Sequence, residues 1–183
     1  MQIDYTKEQT AIQPLLADAN INPETFLATD YLNHFNEIVM LLEMVPDMPE
    51  LAEDAYDWAP KSYQQHFLDS GFQAKELAVE AYGLAPAKVK APFEDIIGQL
   101  DSLITSTLNG LKATNVVERG FTPQAQLMIR SRIEMVQELL MKLNQIIHGK
   151  WEDEIAPAET PEDGPVEGDE SAQTQEDIDK LFD

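Results

Sequence analysis

The sequence predicts an all-α protein, in which a helical bundle continues into a disordered acidic linker and ends in a docking peptide. Three observations predict this class. Apolar residues recur every three or four positions along most of the chain, which is typical of helices, and no long segment alternates strictly. Hydrophobic residues make up 43% of the 183 residues, enough for one globular core. After Trp151 prolines, glycines and acids replace that pattern.

The acidic charge is concentrated at the C-terminal end. Residues 151–183 contain 13 acidic residues and one basic residue, which is −12 of the total charge of −22. We therefore divide the chain into a helical bundle domain (1–150), a disordered acidic linker (151–173) and a C-terminal peptide (174–183). Such a charge argues against nucleic acid as a partner, because the phosphate backbone would be repelled.

Several classes of protein are excluded or disfavoured by what the sequence lacks. There is no cysteine, so disulfides and thiolate metal sites are excluded. The start of the chain has no basic and apolar regions of a signal peptide, and no segment is apolar enough for a membrane span. His34, His66 and His148 show no ligand spacing. We expect a cytoplasmic protein that binds no metal or cofactor itself.

Turn and capping residues place three helices in the first half of the chain. Asn22 and Pro23 form a good helix start, since Asn caps and Pro fits the first turn. Ser62 can cap a later helix, which Gly71 interrupts and Gly83 ends. The predicted helices are residues 22–46, 49–58 and 63–82.

Two longer helices are predicted in the second half. Pro92 is expected to start the first, whose apolar stripe is Phe93, Ile96, Ile97, Leu100, Leu103, Ile104, Leu108 and Leu111. Thr122-Pro123 start the second and Gly149 ends it. Its seam is Ile129, Ile133, Val136, Leu140, Leu143 and Ile147, widened by Met128, Met135, Leu139 and Ile146. A face this wide contacts two neighbours, within a bundle or across a homodimer.

The C-terminal peptide carries an amphipathic turn. Its apolar residues are Ile178, Leu181 and Phe182. The i, i+3, i+4 spacing places all three on one face of a helix, and Thr174 can cap that helix with Asp177 three residues on. A helix this short needs a partner surface to fold on, with an apolar slot and a basic rim for Asp177 and Asp179. The alternative is that the peptide docks on its own body or stays solvated.

The peptide Thr-Gln-Glu-Asp-Ile-Asp-Lys-Leu-Phe, which starts at Thr174, resembles the short segments with which chemotaxis and flagellar-switch proteins bind the response regulator CheY. One such segment begins the switch protein FliM, and another ends the phosphatase CheZ. The resemblance implies that residues 174–183 are a response-regulator-binding peptide. It identifies a partner and leaves the activity open.

A candidate catalytic pair lies in the helix expected to start at Pro92. Asp95 and Gln99 are i, i+4 and project from one face, where Ser102 and Ser106 extend a polar line. Gly98 removes a side chain beside Gln99 and lets another backbone come close. With 15 Asp and 13 Gln in the chain, about one such spacing is expected by chance. The pair alone is therefore more typical of a solvated helix face.

The order Phe93-Glu94-Asp95-Ile96-Ile97-Gly98-Gln99 is similar to the active helix of the CheZ family, which carries Asp-x-x-Gly-Gln. The resemblance implies that Gln99 orients the water that attacks the regulator's phosphorylated aspartate, and that Asp95 pairs with the regulator's active-site lysine. It also implies that the Mg²⁺ ion belongs to the regulator. The family's body is a long helical hairpin that dimerises. Here Pro60, Gly83, Pro86, Pro92 and Gly120 are expected to divide the chain into shorter helices.

Three functions follow from these motifs. The first is a CheZ-like phosphatase that accelerates dephosphorylation of a CheY-type response regulator in chemotaxis signalling. The second is a non-enzymatic adaptor or scaffold that recruits a regulator or flagellar component through the same peptide. The third is an assembly protein that docks on flagellar or polar machinery. The conjunction of helical body, acidic linker and terminal peptide favours the phosphatase.

Overall fold

The computed structural model describes residues 2–150, and these confirm the all-α class, with no strand among them. The predicted linker 151–173 and peptide 174–183 lie outside the described residues. Within the described range, none of the helices combines the length and hydropathy that a membrane crossing requires. The α-helices are α1 (Lys7–Asp18), α2 (Leu32–Met44), α3 (Ala52–Ala55), α4 (Tyr63–Asp69), α5 (Lys75–Leu84), α6 (Ala87–Thr114), α7 (Val116–Arg119) and α8 (Pro123–Ile147).

The two longest helices form the frame of the domain. Helix α6 has 28 residues and α8 has 25. The short connection through α7 returns the chain directly, so the two helices pack side by side and antiparallel. Helix α2 packs on the other flank of α8. The prediction that the wide apolar face of α8 contacts two neighbours is therefore confirmed within one chain.

A cluster of aromatic rings joins the N-terminal helices to α6. Phe93 of α6 is fully buried, and its ring centroid lies 5.8 Å from that of Tyr63 and 6.0 Å from that of Tyr31. Tyr63 in turn stacks on Tyr82 of α5 at 4.6 Å. Because these rings come from four separate segments, they fix the rotation of α6 about its own axis.

The helix predicted to start at Asn22 and Pro23 is absent there, and that prediction was wrong. The Asn22 side-chain oxygen accepts hydrogen bonds from the backbone N–H groups of Glu24 at 2.8 Å and Thr25 at 3.1 Å. These bonds close a turn, and Phe26 then takes a φ of +67°. A residue that can cap a helix also stabilises such a turn. The helix starts only at Leu32, after a 3₁₀ segment at Thr29–Tyr31.

The predicted start at Pro92 was also wrong, since α6 begins at Ala87 and contains Pro92. The first turn forms on the carbonyl of Pro86, which accepts from Val89 N at 3.0 Å and Lys90 N at 2.9 Å. Val89 is fully buried, so core packing extends the helix by more than a turn before the proline. As the sixth residue of α6, Pro92 has no N–H to donate to the carbonyl of Lys88, so the helix gives up one intrahelical hydrogen bond there.

Other boundaries agree with the sequence. The hydroxyls of Ser62 and Thr122 accept N-cap hydrogen bonds from Gln65 N and Ala125 N, both at 3.1 Å. The expected break at Gly71 falls between α4 and α5. Helix α1 was not predicted, although Thr6 and Gln9 form a reciprocal capping box at its start.

Candidate functional site

Asp95 and Gln99 lie on one face of α6, as their spacing predicts, and that face is exposed. The Gln99 side-chain nitrogen Nε2 donates a hydrogen bond to Asp95 Oδ2 at 2.8 Å. Both side chains are open to solvent, so a protein partner can reach them. This hydrogen bond restrains the amide of Gln99 relative to the carboxylate of Asp95. The two residues therefore form one polar unit.

The residues on either side of the pair explain why it faces outward. Phe93 and Leu100 are both fully buried, and they anchor the helix before Asp95 and after Gln99. Beside the pair, the hydroxyl of Tyr82 donates to Glu94 Oε1 at 2.6 Å. Burial, and then this bond to Glu94, raise the pKa of Tyr82 well above its usual value. Helix α6 is thus fixed by packing on one side and by a short hydrogen bond on its flank.

The pair lies in an open groove of about 910 Å³ between α6 and α8. Ser102 and Ser106 continue the polar line along the α6 side, as predicted. An apolar trough runs along the groove, formed by Leu103, Met128, Met135 and Leu139, and Ser131 and Arg132 add polar groups on the α8 side. We call this the α6/α8 groove. A polar pair beside an apolar trough is suited to a protein surface, because the trough supplies burial and the pair supplies chemistry.

Arg132 of α8 crosses the groove towards α6. Its Nη1 donates to the hydroxyl oxygens of Ser106 at 3.1 Å and Thr107 at 3.3 Å. These contacts join the two helices two turns beyond Gln99. The sequence analysis did not single out Arg132, because a lone arginine on a helix face carries no spacing signal.

Gly98 has no structural explanation inside the domain. A Cβ atom added there would meet nothing within 4 Å among the described residues. Gly98 lies in the middle of α6, where glycine costs roughly 0.5–1 kcal/mol relative to alanine. The position borders the α6/α8 groove next to Gln99. An open, unfavourable glycine at that point is consistent with close approach by another molecule.

Asp101 lies on the other flank of α6, outside the groove. Its Oδ1 atom is buried and has no hydrogen-bond partner among residues 2–150. Burial raises the pKa of Asp101 to about 6. It borders a smaller pocket with the rings of Tyr31 and Tyr82. Spacing along the helix does not reveal that these two neighbouring acids, Asp95 and Asp101, have such different surroundings.

The remaining predicted site residues have different outcomes. Ile178, Leu181, Phe182, Asp177 and Asp179 lie outside the described residues. His34 and His66, far apart in sequence, have ring centroids 6.4 Å apart. His66 Nε2 lies 2.9 Å from Asp30 Oδ2. Across the described range no cluster of three or more His, Asp or Glu side chains is arranged to hold a metal ion.

The chain matches no family model, no curated protein and no solved structure.

Proposed function

We propose that this protein is a phosphatase of the CheZ type, which accelerates loss of phosphate from the aspartate of a CheY-type response regulator. The observation that carries the proposal is the exposed Asp95–Gln99 pair at the edge of an apolar groove on a rigid helix. A pair on a merely solvated face needs neither the trough beside it nor the open glycine between its members.

The chemistry asked of this chain is modest. Water attacks the phosphorus of the partner's acyl phosphate, the bond from phosphorus to the aspartate oxygen breaks, and inorganic phosphate leaves. The carboxamide of Gln99 accepts from and donates to that water and holds it in line. Positioning alone supplies a large rate factor for such a displacement, so no strong base is required. The Mg²⁺ ion that neutralises the phosphate charge belongs to the regulator.

Asp95 has a second task in this proposal. Its carboxylate accepts from Gln99 through one oxygen, which leaves the other oxygen available to the regulator's lysine. That ion pair would set the register of the regulator on α6. Gly98, one residue before Gln99, allows the regulator's backbone to approach the helix at this register.

The test measures loss of phosphate from the phosphorylated regulator. With wild-type protein the decay should accelerate, and with Gln99→Ala it should return to the rate of the regulator alone, a loss of roughly 10²-fold or more. Gln124→Ala is the matched control, since Gln124 is an exposed glutamine of α8 outside the groove. That variant should keep full activity.

The alternative function is the adaptor that recruits a regulator or flagellar component without turnover. It predicts that wild-type protein binds the regulator while phosphate decay stays unchanged, and this result would sink the phosphatase proposal. Activity that survives Gln99→Ala would instead show that the function is right and the site is wrong.

The proposed recruiting element is the peptide 174–183. Truncation before Thr174, or Leu181→Ala with Phe182→Ala, should weaken regulator binding strongly while the helicity of the body stays intact. Because Asp177 and Asp179 are expected to face a basic rim, binding should also weaken as salt rises. Equal affinity after truncation would refute this role.

We further propose that the protein works in the cytoplasm as a homodimer. Helices α2 and α8 carry large apolar residues on their outer faces, among them Met40, Met141 and Leu127, exposed by 62%, 64% and 71%. Large apolar side chains exposed on two helices that pack against each other are suited to contact with a second copy of the chain. Light scattering should give twice the mass of one chain, and Leu127→Lys with Met141→Lys should restore the monomer.

A further inference from the structure

We infer that the outer face of α2 is a docking surface for a basic amphipathic helix of another protein. The surface consists of three exposed methionines, Met40, Met44 and Met48, which are set among acidic side chains. We call these three residues the methionine line. None of them lines the α6/α8 groove, so the proposed docking is separate from the candidate catalytic pair.

The three methionines follow one helical register. Met40 and Met44 are four residues apart on α2, and the N–H of Met48 donates to the carbonyl of Met44 at 2.9 Å, as in a helix. The methionine line therefore continues one turn past the end of α2 and extends about 12 Å. Phe35 and Ile38, on the side of α2 that faces the core, are fully buried. Their packing fixes the direction in which the methionines point.

The exposure and the chemistry of the methionine line suit an apolar partner. The exposed fractions of Met40, Met44 and Met48 are 62%, 39% and 42%. Single exposed apolar residues are ordinary on a protein surface, whereas three in one helical register offer a continuous contact. Methionine side chains are flexible and polarizable, so they adapt to apolar side chains of different shapes. A length of about 12 Å matches two turns of a partner helix.

The surroundings of the methionine line are strongly acidic. Residues 37–57 contain seven acidic residues and no lysine or arginine, and the longer stretch 8–60 also has no lysine or arginine. Glu37 and Asp47 are exposed, and each lies three residues from a methionine of the line, so both flank it on the helix surface. Apolar side chains between carboxylates are complementary to a helix whose apolar stripe lies between lysines and arginines.

Basic residues of neighbouring elements do not neutralise this surface. Arg130 of α8 pairs with Asp47 at 3.3 Å, and the Lys112 ammonium of α6 lies 4.9 Å from the ring centroid of Tyr56. Arg119 belongs to α7, which packs on the 3₁₀ turn that follows α2. Within residues 2–150, Asp47 is the one member of the seven acids that has an ion pair. Seven acids against these three cations leave an excess of negative charge for a partner to meet.

A second copy of this chain matches the methionine line poorly. Each copy carries a net charge of −22, and the same acids would meet across a two-fold contact between α2 helices. The homodimer contact proposed above therefore falls to Leu127 and Met141 on α8. The methionine line is left for a partner of opposite charge.

The test uses the full chain and a synthetic amphipathic peptide of about five helical turns, with leucines on one face and lysines on the other. The control peptide has the same composition in an order that places leucine and lysine on every face. Fluorescence anisotropy should show that the patterned peptide binds roughly tenfold more tightly than the control peptide. Equal affinities, or no binding of the patterned peptide, would overturn the proposal, because charge attraction alone distinguishes no pattern.

One pair of substitutions removes the apolar part of the surface. Met44→Ser with Met48→Ser should weaken binding of the patterned peptide roughly tenfold. Leu15→Ser with Leu68→Ser, at exposed residues of α1 and α4, is the matched control and should leave the affinity unchanged. Circular dichroism checks that both variants keep their helices. The same affinity for both variants would contradict docking on the methionine line.

A second pair of substitutions removes part of the acidic surroundings. Glu37→Gln with Glu50→Gln should weaken the patterned peptide roughly threefold or more and reduce the salt dependence of its binding. Glu8→Gln with Glu80→Gln removes the same charge from exposed residues of α1 and α5. An equal loss in this control would overturn the proposal, since the peptide would then respond only to the net charge of the chain.

Methyl NMR of the methionines locates the contact. On addition of the patterned peptide the signals of Met40, Met44 and Met48 should shift, while those of Met135 and Met141 stay unchanged. Shifts at Met135 instead would place the peptide in the α6/α8 groove and refute the proposal. Shifts at Met44 and Met48 on raising the protein concentration without peptide would make a second copy the occupant, with the same consequence. These measurements involve neither regulator nor phosphate, so they can fail independently of the phosphatase assay.

Discussion

The two faces of α6 differ in their contacts, because one face packs in the core and the other is exposed to solvent. The inner face carries Phe93 and Leu100, both fully buried among rings and aliphatic side chains. The outer face carries Asp95, Gly98 and Gln99, and there Gln99 donates a hydrogen bond to Asp95. Stability therefore resides on one side of the helix and the proposed chemistry on the other. Substitutions on the two faces should affect different measurements.

The largest effect is expected at the centre of the inner face. Phe93→Ala removes a fully buried ring that touches Tyr31, Tyr63 and Tyr82, and should lower the free energy of unfolding by about 3–5 kcal/mol. Urea denaturation monitored by circular dichroism measures this loss. Leu68→Ala, at a residue of α4 that is 51% exposed, should cost less than about 0.5 kcal/mol. Similar losses for both variants would contradict the division between faces.

The next effect is the pH dependence of stability, which we expect from His34. Its ring stacks on Tyr31, in the aromatic cluster against which Phe93 packs. Burial, and then the nearby charges of His66 and Lys61, lower the pKa of His34 from 6.5 to about 4. The unfolded chain binds a proton at His34 below pH 6.5, and the folded protein resists it until about pH 4. Stability at this group is therefore full above pH 6.5 and lost as the pH falls towards 4, by roughly 2–3 kcal/mol.

The measurement compares urea midpoints at pH 7 and pH 4.5. His34→Phe should lose less stability between these values than wild type, because one proton-linked group is removed. His148→Gln is the control, since His148 is exposed at the end of α8 and should leave the pH dependence as it is. An unchanged pH dependence in His34→Phe would show that other groups govern acid unfolding.

A smaller effect on stability is expected at Asp101, which lies on the flank of α6 between its inner and outer faces. Because burial raises the pKa of Asp101 to about 6, its contribution to stability is present below about pH 4 and is lost as the pH rises through 6. Asp101→Asn should therefore be more stable than wild type at pH 8, by about 1 kcal/mol after allowance for partial solvent exposure. The gain should vanish near pH 4, and the exposed Asp95→Asn should show little change at either pH.

The smallest effect on stability is expected at Gly98, where the same substitution also tests the proposed regulator interface. Gly98→Ala should raise the free energy of unfolding by about 0.5–1 kcal/mol, since the added methyl group meets nothing within the described domain. It should nevertheless weaken the regulator complex, roughly tenfold, if the partner's backbone approaches here. Gly83→Ala, in α5 and equally open, should raise stability without this loss. Full binding by Gly98→Ala would remove Gly98 from the interface.

The sequence predicted the candidate pair better than its surroundings. Asp95 and Gln99 were placed on one face by their spacing alone, and the hydrogen bond between them confirms that placement. For the α8 side of the groove, the sequence predicted only that Met128, Met135 and Leu139 widen the apolar face of that helix. It did not predict that they line a groove. Which neighbour faces those residues depends on how α8 packs, and the spacing along one helix does not contain that information.

Local chemistry determined the helical class, the caps at Ser62 and Thr122, and the break near Gly71, because each depends on residues within a few positions. Tertiary packing decided the cases in which local signals compete. Asn22 closes a turn instead of a helix, and burial of Val89 carries α6 back through Pro92 to Ala87. The groove belongs to this second group, since two helices form it together and a hydrophobic period on either one leaves their relative rotation open.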